Sequence, residues 1–356
     1  MPSLLGGGTE QVMVTLANGM AERGIAVDMV VGCPDGPNRV RLSDKVNLVV
    51  LGNKRASRCV LPLARYFHAV QPDAMLSAMT YANNVAIAAR LIARSRARLV
   101  ISERTSLSFK PVNRSEALHM WLRWWTYRFA DKVVLVAKKE CSEAAKKFGL
   151  PRDRVAGIYN PIITPEFERE RTHPPEHPWL TDEARAGGPV IVAVGRLDPV
   201  KNYPMLIDAF ALLRSQRPAR LIIFGEGSER NALSAQVKAL ALTDSISLPG
   251  FVQNLPKEIN ASDLFVLSSK VEGLPGALIQ ALGCGLRIVS TDCETGPREI
   301  LDGGKWGTLV PLDDTAALAQ AMATALATPP QPPAAEWTSQ FSLARAVDAY
   351  LACLAG

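Results

Sequence analysis

Short apolar runs alternate with amphipathic stretches along nearly the whole of this chain, and that alternation leaves room for few folds. In the first half, Val27–Val31, Val46–Leu51, Leu99–Ser102 and Val133–Ala137 read as strands. Gln11–Arg23, Ala82–Arg94 and Arg114–Phe129 carry apolar residues at helical spacing. A strand that is apolar on nearly every residue must be covered on both faces, and intervening helices supply that cover. The pattern therefore calls for an α/β fold with a parallel sheet.

The alternation restarts at residue 190. Val190–Val194, Arg220–Phe224, Ser245–Leu248, Leu264–Leu267 and Arg287–Ser290 read as strands. Pro204–Leu213, Arg230–Ala239, Pro275–Gly283 and Thr315–Ala327 read as helices. Between the halves lies a stretch rich in proline, glycine and charge, the composition of a linker. The reading is two doubly wound Rossmann-like domains, residues 1–165 and 189–335, joined by a linker at 166–188. A last helix within residues 340–356 is expected to pack back on the first domain. Sheets of this kind bind ligands at the carboxyl ends of their strands, so a cleft between the two is the expected site.

The net charge of +6 is unevenly spread. Arg90 to Arg154 holds sixteen Lys/Arg against six Asp/Glu, a local +10. Such a block needs an anionic partner or a solvated face. The six cysteines form no C-x-x-C pair, and with four histidines they complete no zinc spacing. No apolar run reaches the ~20 residues of a membrane span. The start of the chain lacks the basic and apolar regions of a signal peptide. A cytoplasmic protein without a bound metal or cofactor is expected.

The polar segments that follow strands carry the chemistry. Leu5-Gly6-Gly7-Gly8-Thr9-Glu10 precedes a helix and reads either as a flexible tail or as a turn whose amides approach an anion. Gly195-Arg196-Leu197-Asp198-Pro199-Val200-Lys201 places an Arg fork and a Lys point charge after a strand, suited to a diphosphate or simply solvated. Phe224-Gly225-Glu226-Gly227 lacks the third glycine of a dinucleotide fingerprint and reads as a tight turn. Ser268–Gln280 is the most informative stretch. Glu272 sits in a polar loop, Gly273 and Leu274 aim amides at a phosphate, and Pro275 sits near the helix start. Glu272 and Gln280 can bind hydroxyls, or Glu272 can serve only to offset the helix dipole.

Together these pieces resemble the retaining glycosyltransferases of family 4, which have the GT-B fold. The resemblance rests on VGRLDPVKNYPMLIDAF, LIIFGEGSER, LPGFVQN and SSKVEGLPGALIQALGCGLRIVSTDCETGPREIL, in that order. The first half agrees more loosely, through GGGTEQVMVTLANGMAERG, ISER, YRFADKVVLV and IYNPI. By that resemblance Arg196 and Lys201 grip the donor diphosphate and Glu272 contacts the transferred sugar. The Gly273 and Leu274 amides cap the phosphate. Gln280 takes the place of a ribose-binding glutamate. Gly195, Gly225 and the loop with Phe251, Val252 and Asn254 frame the donor, while Gly7 and Gly8 close on it from the other domain. No metal-binding Asp pair is placed to act. Glu103 and Arg104 are expected on the acceptor side, or as an ordinary salt bridge after a strand.

The implied activity is transfer of a hexose or N-acetylhexosamine from a nucleotide sugar, UDP-linked by expectation, to a glycan or polyprenyl-linked acceptor. A catalytically impaired relative that only binds nucleotide sugar is the alternative, and nucleic-acid binding has no supporting signature. The family's first strand, which precedes the glycine loop, has no counterpart in residues 1–4, so a sheet with a vacant central position is expected. Within Arg114–Phe129, residues Leu118, Trp121, Leu122, Trp125 and Phe129 share one face, read as the core stripe. Trp124 and Tyr127 then lie outside it beside Arg123 and Arg128. That outer face reads either as ordinary surface or as a contact with an anionic membrane.

Overall fold

The computed structural model describes residues 1–5, 7–104, 107, 114–181 and 187–356. It divides into two compact units: Met1–Pro161 with Gln340–Gly356, and Ile162–Ser339.

The first unit holds two parallel sheets. β1 (Val27–Val31) pairs with β2 (Val46–Val50). β3 (Ala74–Ala78), β4 (Arg98–Glu103), β5 (Lys132–Leu135) and β6 (Val155–Gly157) form a separate four-stranded sheet in that order. α1 (Gly8–Glu22) covers β1, while α2 (Val60–Val70) packs on α3 (Thr80–Ala93). The last helix, Leu343–Ala355, lies against α1, β3 and β4. Val347 and Tyr350 from it join Leu16 and Val100 in one buried cluster.

α4 (Arg114–Thr126) and the short 3₁₀ turn Tyr127–Phe129 turn the other way from the sequence reading. Trp121, Trp125, Leu118 and Phe129, read as core, are about half exposed, whereas Tyr127 and Arg123 are buried. Trp124 and Tyr127 pack on Phe148, with ring centroids 5.1 and 5.0 Å apart. The reason lies at the end of β4. The Glu103 carboxylate is buried there, and burying a carboxylate is costly unless donors reach it. Tyr127 donates to it and Arg123 pairs with it at 3.7 Å, so the helix turns the face that carries them inward and leaves the face with Trp121 and Trp125 outside.

The second unit is a six-stranded parallel sheet. Its strands are β7 (Val190–Val194), β8 (Arg220–Phe224), β9 (Ile246–Gly250), β10 (Leu264–Leu267), β11 (Arg287–Thr291) and β12 (Thr308–Val310), in spatial order β12-β11-β10-β7-β8-β9. The central strands β7 and β10 are buried along almost their whole length. Within the stretch read as a linker, the described residues up to Thr181 make specific contacts. Thr164 caps a short helix, Pro165–Glu170, through the Phe167 amide. Glu258 accepts from the amides of Glu176, at 2.7 Å, and His177, at 3.2 Å. A buried carboxylate next to free backbone donors is satisfied this way, and the segment becomes part of the second unit.

Candidate donor site and a buried carboxylate network

The loops leaving β7, β8, β9, β10 and β11 build one polar surface in the second unit. Those after β7, β8 and β9 are stitched together by backbone. Gly195 N donates to Phe224 O at 3.0 Å, Leu197 N to Glu226 O at 2.8 Å, and Gly225 N to Gly250 O at 2.8 Å. Gly225 is required by this approach: a Cβ there would lie 1.9 Å from Gly195 O, at a φ of 144°. Its role is therefore close loop packing, and so is that of Gly227, whose Cβ would meet Leu197 O at 2.2 Å.

Lys201 Nζ donates to Glu272 Oε1 at 2.6 Å, with both side chains mostly buried. Ser269 Oγ donates to the same oxygen at 2.6 Å, and Thr295 Oγ1 donates to the Glu272 carbonyl. Ser268 Oγ in turn holds the Lys201 carbonyl at 2.7 Å. Gly273 and Leu274 follow directly and lead through Pro275 into α5 (Gly276–Gly283), which carries Gln280 four residues after its first. Gly296, at φ 90°, lets its loop lie on Gly273, where a Cβ would sit 2.6 Å from the Gly273 carbonyl oxygen. Glu272 is thus held from three sides at the N-terminus of a helix on the carboxyl edge of a parallel sheet.

Arg196 does not join this cluster. Its side chain is 85% exposed and lies 3.1 Å from Asp198. Phe251, directly after β9, is 78% exposed, with Val252 and Asn254 partly covered beside it. Tyr203, to which the sequence assigns no role, is 3% exposed, and its hydroxyl has no partner among the described residues. Burial, then the charges of Glu272 and Asp198, push that hydroxyl well above the ordinary tyrosine range. Ser269 and Thr295 were also missed, since a serine or threonine beside a strand end carries no spacing signal.

In the first unit, Gly7 and Gly8 stand at the start of α1, whose N-terminus has no side-chain cap. Gly8 has open space where a Cβ would be. Gly6 lies outside the described residues. Glu103 contradicts the expectation that it lines an acceptor surface. It is 1% exposed. Thr80 Oγ1 donates to both its oxygens at 3.0 Å, Tyr127 Oη to Oε2 at 2.6 Å and the Arg104 amide to Oε1 at 3.1 Å. Arg123 lies 3.7 Å away. So saturated a carboxylate binds structure together rather than substrate. Arg104 beside it reaches Asn160 and, at 3.2 Å, Tyr350 Oη.

Comparison with known proteins settles the lineage. A model described as Glycosyltransferase Family 4 matches residues 6–165, and one described as Glycosyl transferases group 1 matches residues 188–328. The chain belongs to glycosyltransferase family 4. A Campylobacter jejuni N-acetylgalactosamine-N,N'-diacetylbacillosaminyl-diphospho-undecaprenol 4-alpha-N-acetylgalactosaminyltransferase is 30% identical over 68% of this chain and 64% of its own length. The Erwinia amylovora amylovoran biosynthesis glycosyltransferase AmsD is 24% identical over 83% and 80%. The chain spans less than two thirds of the C. jejuni protein and 28% and 19% of two other curated relatives. Among solved structures, Anabaena HepE, in complex with UDP and glucose, is 21% identical and aligns at a TM-score of 0.77 over 100% of this chain and 98% of its own. The fold of this family member is GT-B, with two Rossmann-like domains.

Among the described residues no group of His, Cys, Asp and Glu is arranged to hold a metal ion, and no helix is long and apolar enough to cross a membrane.

Proposed function

We propose that the protein is a retaining, metal-independent glycosyltransferase. It moves a hexose or N-acetylhexosamine from a UDP-linked donor to a glycan or polyprenyl-diphosphate-linked acceptor in cell-surface polysaccharide synthesis. The observation that carries this reading is the Lys201–Glu272 contact just before α5. Breaking a sugar–phosphate bond leaves negative charge on the nucleoside diphosphate. Lys201, Arg196 and the Gly273 and Leu274 amides before α5 offset that charge without reorganising. Glu272 Oε2 takes a sugar hydroxyl, Gln280 the ribose, and Phe251 the flat face of the base. As the acceptor oxygen bonds to the anomeric carbon from the face the phosphate leaves, the acceptor proton passes to a phosphate oxygen. No side chain serves as nucleophile, and Glu272 is held back from that role by Lys201 and Ser269. The undecaprenol-linked acceptor named for the C. jejuni relative supports the lipid-linked choice, and UDP in HepE supports the base.

A cytoplasmic, membrane-peripheral location goes with this reading. Leu118, Trp121, Trp125 and Phe129 form an exposed stripe on α4 and the turn after it, and Leu91 and Ile92 on the adjoining α3 are exposed too. Arg128 stacks over Trp125 at 5.3 Å. Exposed indoles flanked by arginines suit a bilayer surface rich in anionic headgroups.

The test is thermal shift with UDP, GDP and ADP, followed by turnover of UDP-sugars with and without a chelator. A UDP-selective rise that Arg196→Ala plus Lys201→Ala abolishes, and turnover indifferent to the chelator, are expected. A folded protein that no nucleotide stabilises would overturn the reading.

A further inference from the structure

Tyr203 opens the helix Tyr203–Gln216, two residues after Lys201. The turn between them is set by Asn202, at φ 51°. Asparagine visits this left-handed conformation more readily than most residues. Here its side chain donates to Asp313 Oδ1 at 3.0 Å, which fixes the turn. The chain just before it is fixed as well. Ser268 Oγ donates to the Lys201 carbonyl at 2.7 Å, and the Lys270 amide donates to the Val200 carbonyl at 2.8 Å. Two side chains of different chemistry therefore meet at one point. A Cβ built on Gly195 would lie 2.8 Å from Tyr203 Oη, and 3.0 and 3.3 Å from Lys201 Cε and Cδ. The phenol and the lysine stem flank the same spot on the Gly195 backbone.

That spot is a costly place for a hydroxyl. Tyr203 is 3% exposed and its oxygen has no partner among the described residues. An enclosed hydroxyl without a hydrogen bond destabilises the fold, and a phenylalanine of the same shape would not. Besides burial, two carboxylates act on it, Glu272 first and Asp198 second. Glu272 Oε1 is itself held by Lys201 Nζ and Ser269 Oγ, each at 2.6 Å, and the Glu272 side chain is 11% exposed. A diphosphate competes for that lysine by charge. Once Lys201 turns to it, the Glu272 oxygen keeps one donor while the carboxylate stays mostly buried, a state that desolvation penalises. A hydroxyl beside the lysine stem, already under the influence of the same carboxylate, is the donor at hand.

We propose that Tyr203 is a positioning residue of the donor site, and that its hydroxyl replaces Lys201 as hydrogen-bond donor to Glu272 when a nucleoside diphosphate takes the lysine. The exchange offsets the breaking of the Lys201–Glu272 pair. It also keeps Glu272 aimed, so that its other oxygen can take a sugar hydroxyl. The unsatisfied phenol is thus retained for the complex rather than for the fold. This inference rests on the reading of the second unit as the donor site, and adds to it a residue that acts through Glu272.

The test measures Tm and UDP affinity by calorimetry in the wild type, Tyr203→Phe, Glu272→Gln and the double variant. Tyr203→Phe is expected to keep Tm within about 2 °C of the wild type or raise it, and to weaken UDP about tenfold. In the Glu272→Gln background the same change should alter UDP affinity by less than about twofold. A spectroscopic readout runs beside it, the Cζ resonance of ¹³C-labelled tyrosine, which responds to hydrogen bonding at the hydroxyl. The chain has six tyrosines, and the signal missing from Tyr203→Phe identifies the one sought. That signal should move when UDP is added to the wild type and stay in place in Glu272→Gln. A wild type that binds no nucleotide would overturn the donor-site reading and this inference with it. UDP binding that Tyr203→Phe leaves unchanged would overturn the inference alone. So would an equal loss in the Glu272→Gln background, which would assign the hydroxyl to Asp198 or to the ligand itself. A fall in Tm of more than about 5 °C in Tyr203→Phe would show a structural partner and overturn it too.

Discussion

Glu272 Oε1 accepts two hydrogen bonds of 2.6 Å, from Lys201 Nζ and from Ser269 Oγ. Its other oxygen has no partner among the described residues. One atom of the carboxylate is therefore committed to the protein and the other is available to a ligand. Removing the charge without the shape separates these duties. Glu272→Gln should keep UDP binding, since Lys201 is released to the diphosphate, while turnover of the UDP-sugar falls about 100-fold or more. Lys201→Ala should lose both. Steady-state kinetics beside UDP titration by calorimetry checks this, and an E272Q variant with unchanged kcat would remove Glu272 from the chemistry.

Gly225 of the second unit and Gly8 of the first make opposite predictions. Gly225→Ala puts a methyl 1.9 Å from Gly195 O at a positive φ, so backbone must move. A loss of about 2–4 kcal/mol in urea unfolding is expected. Gly8→Ala meets nothing within 4 Å and should leave stability within about 0.5 kcal/mol. If Gly8 closes on the donor, that same variant raises KM for the UDP-sugar, a change that unfolding cannot explain.

His177 gives the protein a calculable response to acid. Its Nδ1 accepts from the Trp179 amide at 3.2 Å, and its Nε2 lies 3.0 Å from Ser247 Oγ, so the ring is held neutral. Burial, then the nearby Arg220 charge, lower its pKa from the ordinary 6.5. Between the lowered folded value and 6.5 the unfolded chain binds more protons than the folded one, so stability rises with pH across that window. Urea midpoints from pH 5 to 7 should fall toward acid in the wild type. In His177→Gln the part of that slope near pH 6 should be missing, and identical slopes would rule His177 out as the cause.

The exposed stripe on α4 makes a prediction free of the active site. Trp121 and Trp125 are 57% and 55% exposed, with ring centroids 6.5 Å apart. Replacing both by serine should leave Tm within a few degrees while lowering co-sedimentation with anionic vesicles about tenfold. High salt should weaken wild-type binding, through Arg128 and its neighbours. Equal binding of the wild type to neutral vesicles, or the same binding by the variant, would count against a membrane face.

Most strands could be read because they are continuous apolar runs with clear ends. β3, AMLSA, was not: alanine and serine have weak strand preference, and only its place beside β4 makes it a strand. α2 was hidden by Pro62, which the first turn of a helix tolerates. Of the proposed donor site, Lys201 and Glu272 were legible by position and the structure joins them. Arg196 was legible too but stands apart, and Ser269, Thr295 and Tyr203 carry no pattern that distinguishes them from any polar or core residue.

The sequence alone determined most of the strands and helices, the alternation of parallel α/β type in both halves, the family, and which loops bear the polar motifs, because each depends on residues within a few turns of one another. Tertiary structure decided which face α4 buries, that Glu103 is enclosed by its hydrogen-bond partners, and that Glu176 and His177 are tied to Glu258. Those outcomes turn on pairings between distant segments. Glu103 must find Thr80 and Tyr127, and Glu258 must find the amides of Glu176 and His177. The cost of burying an unpaired charge or backbone group selects among faces that local periodicity leaves equivalent.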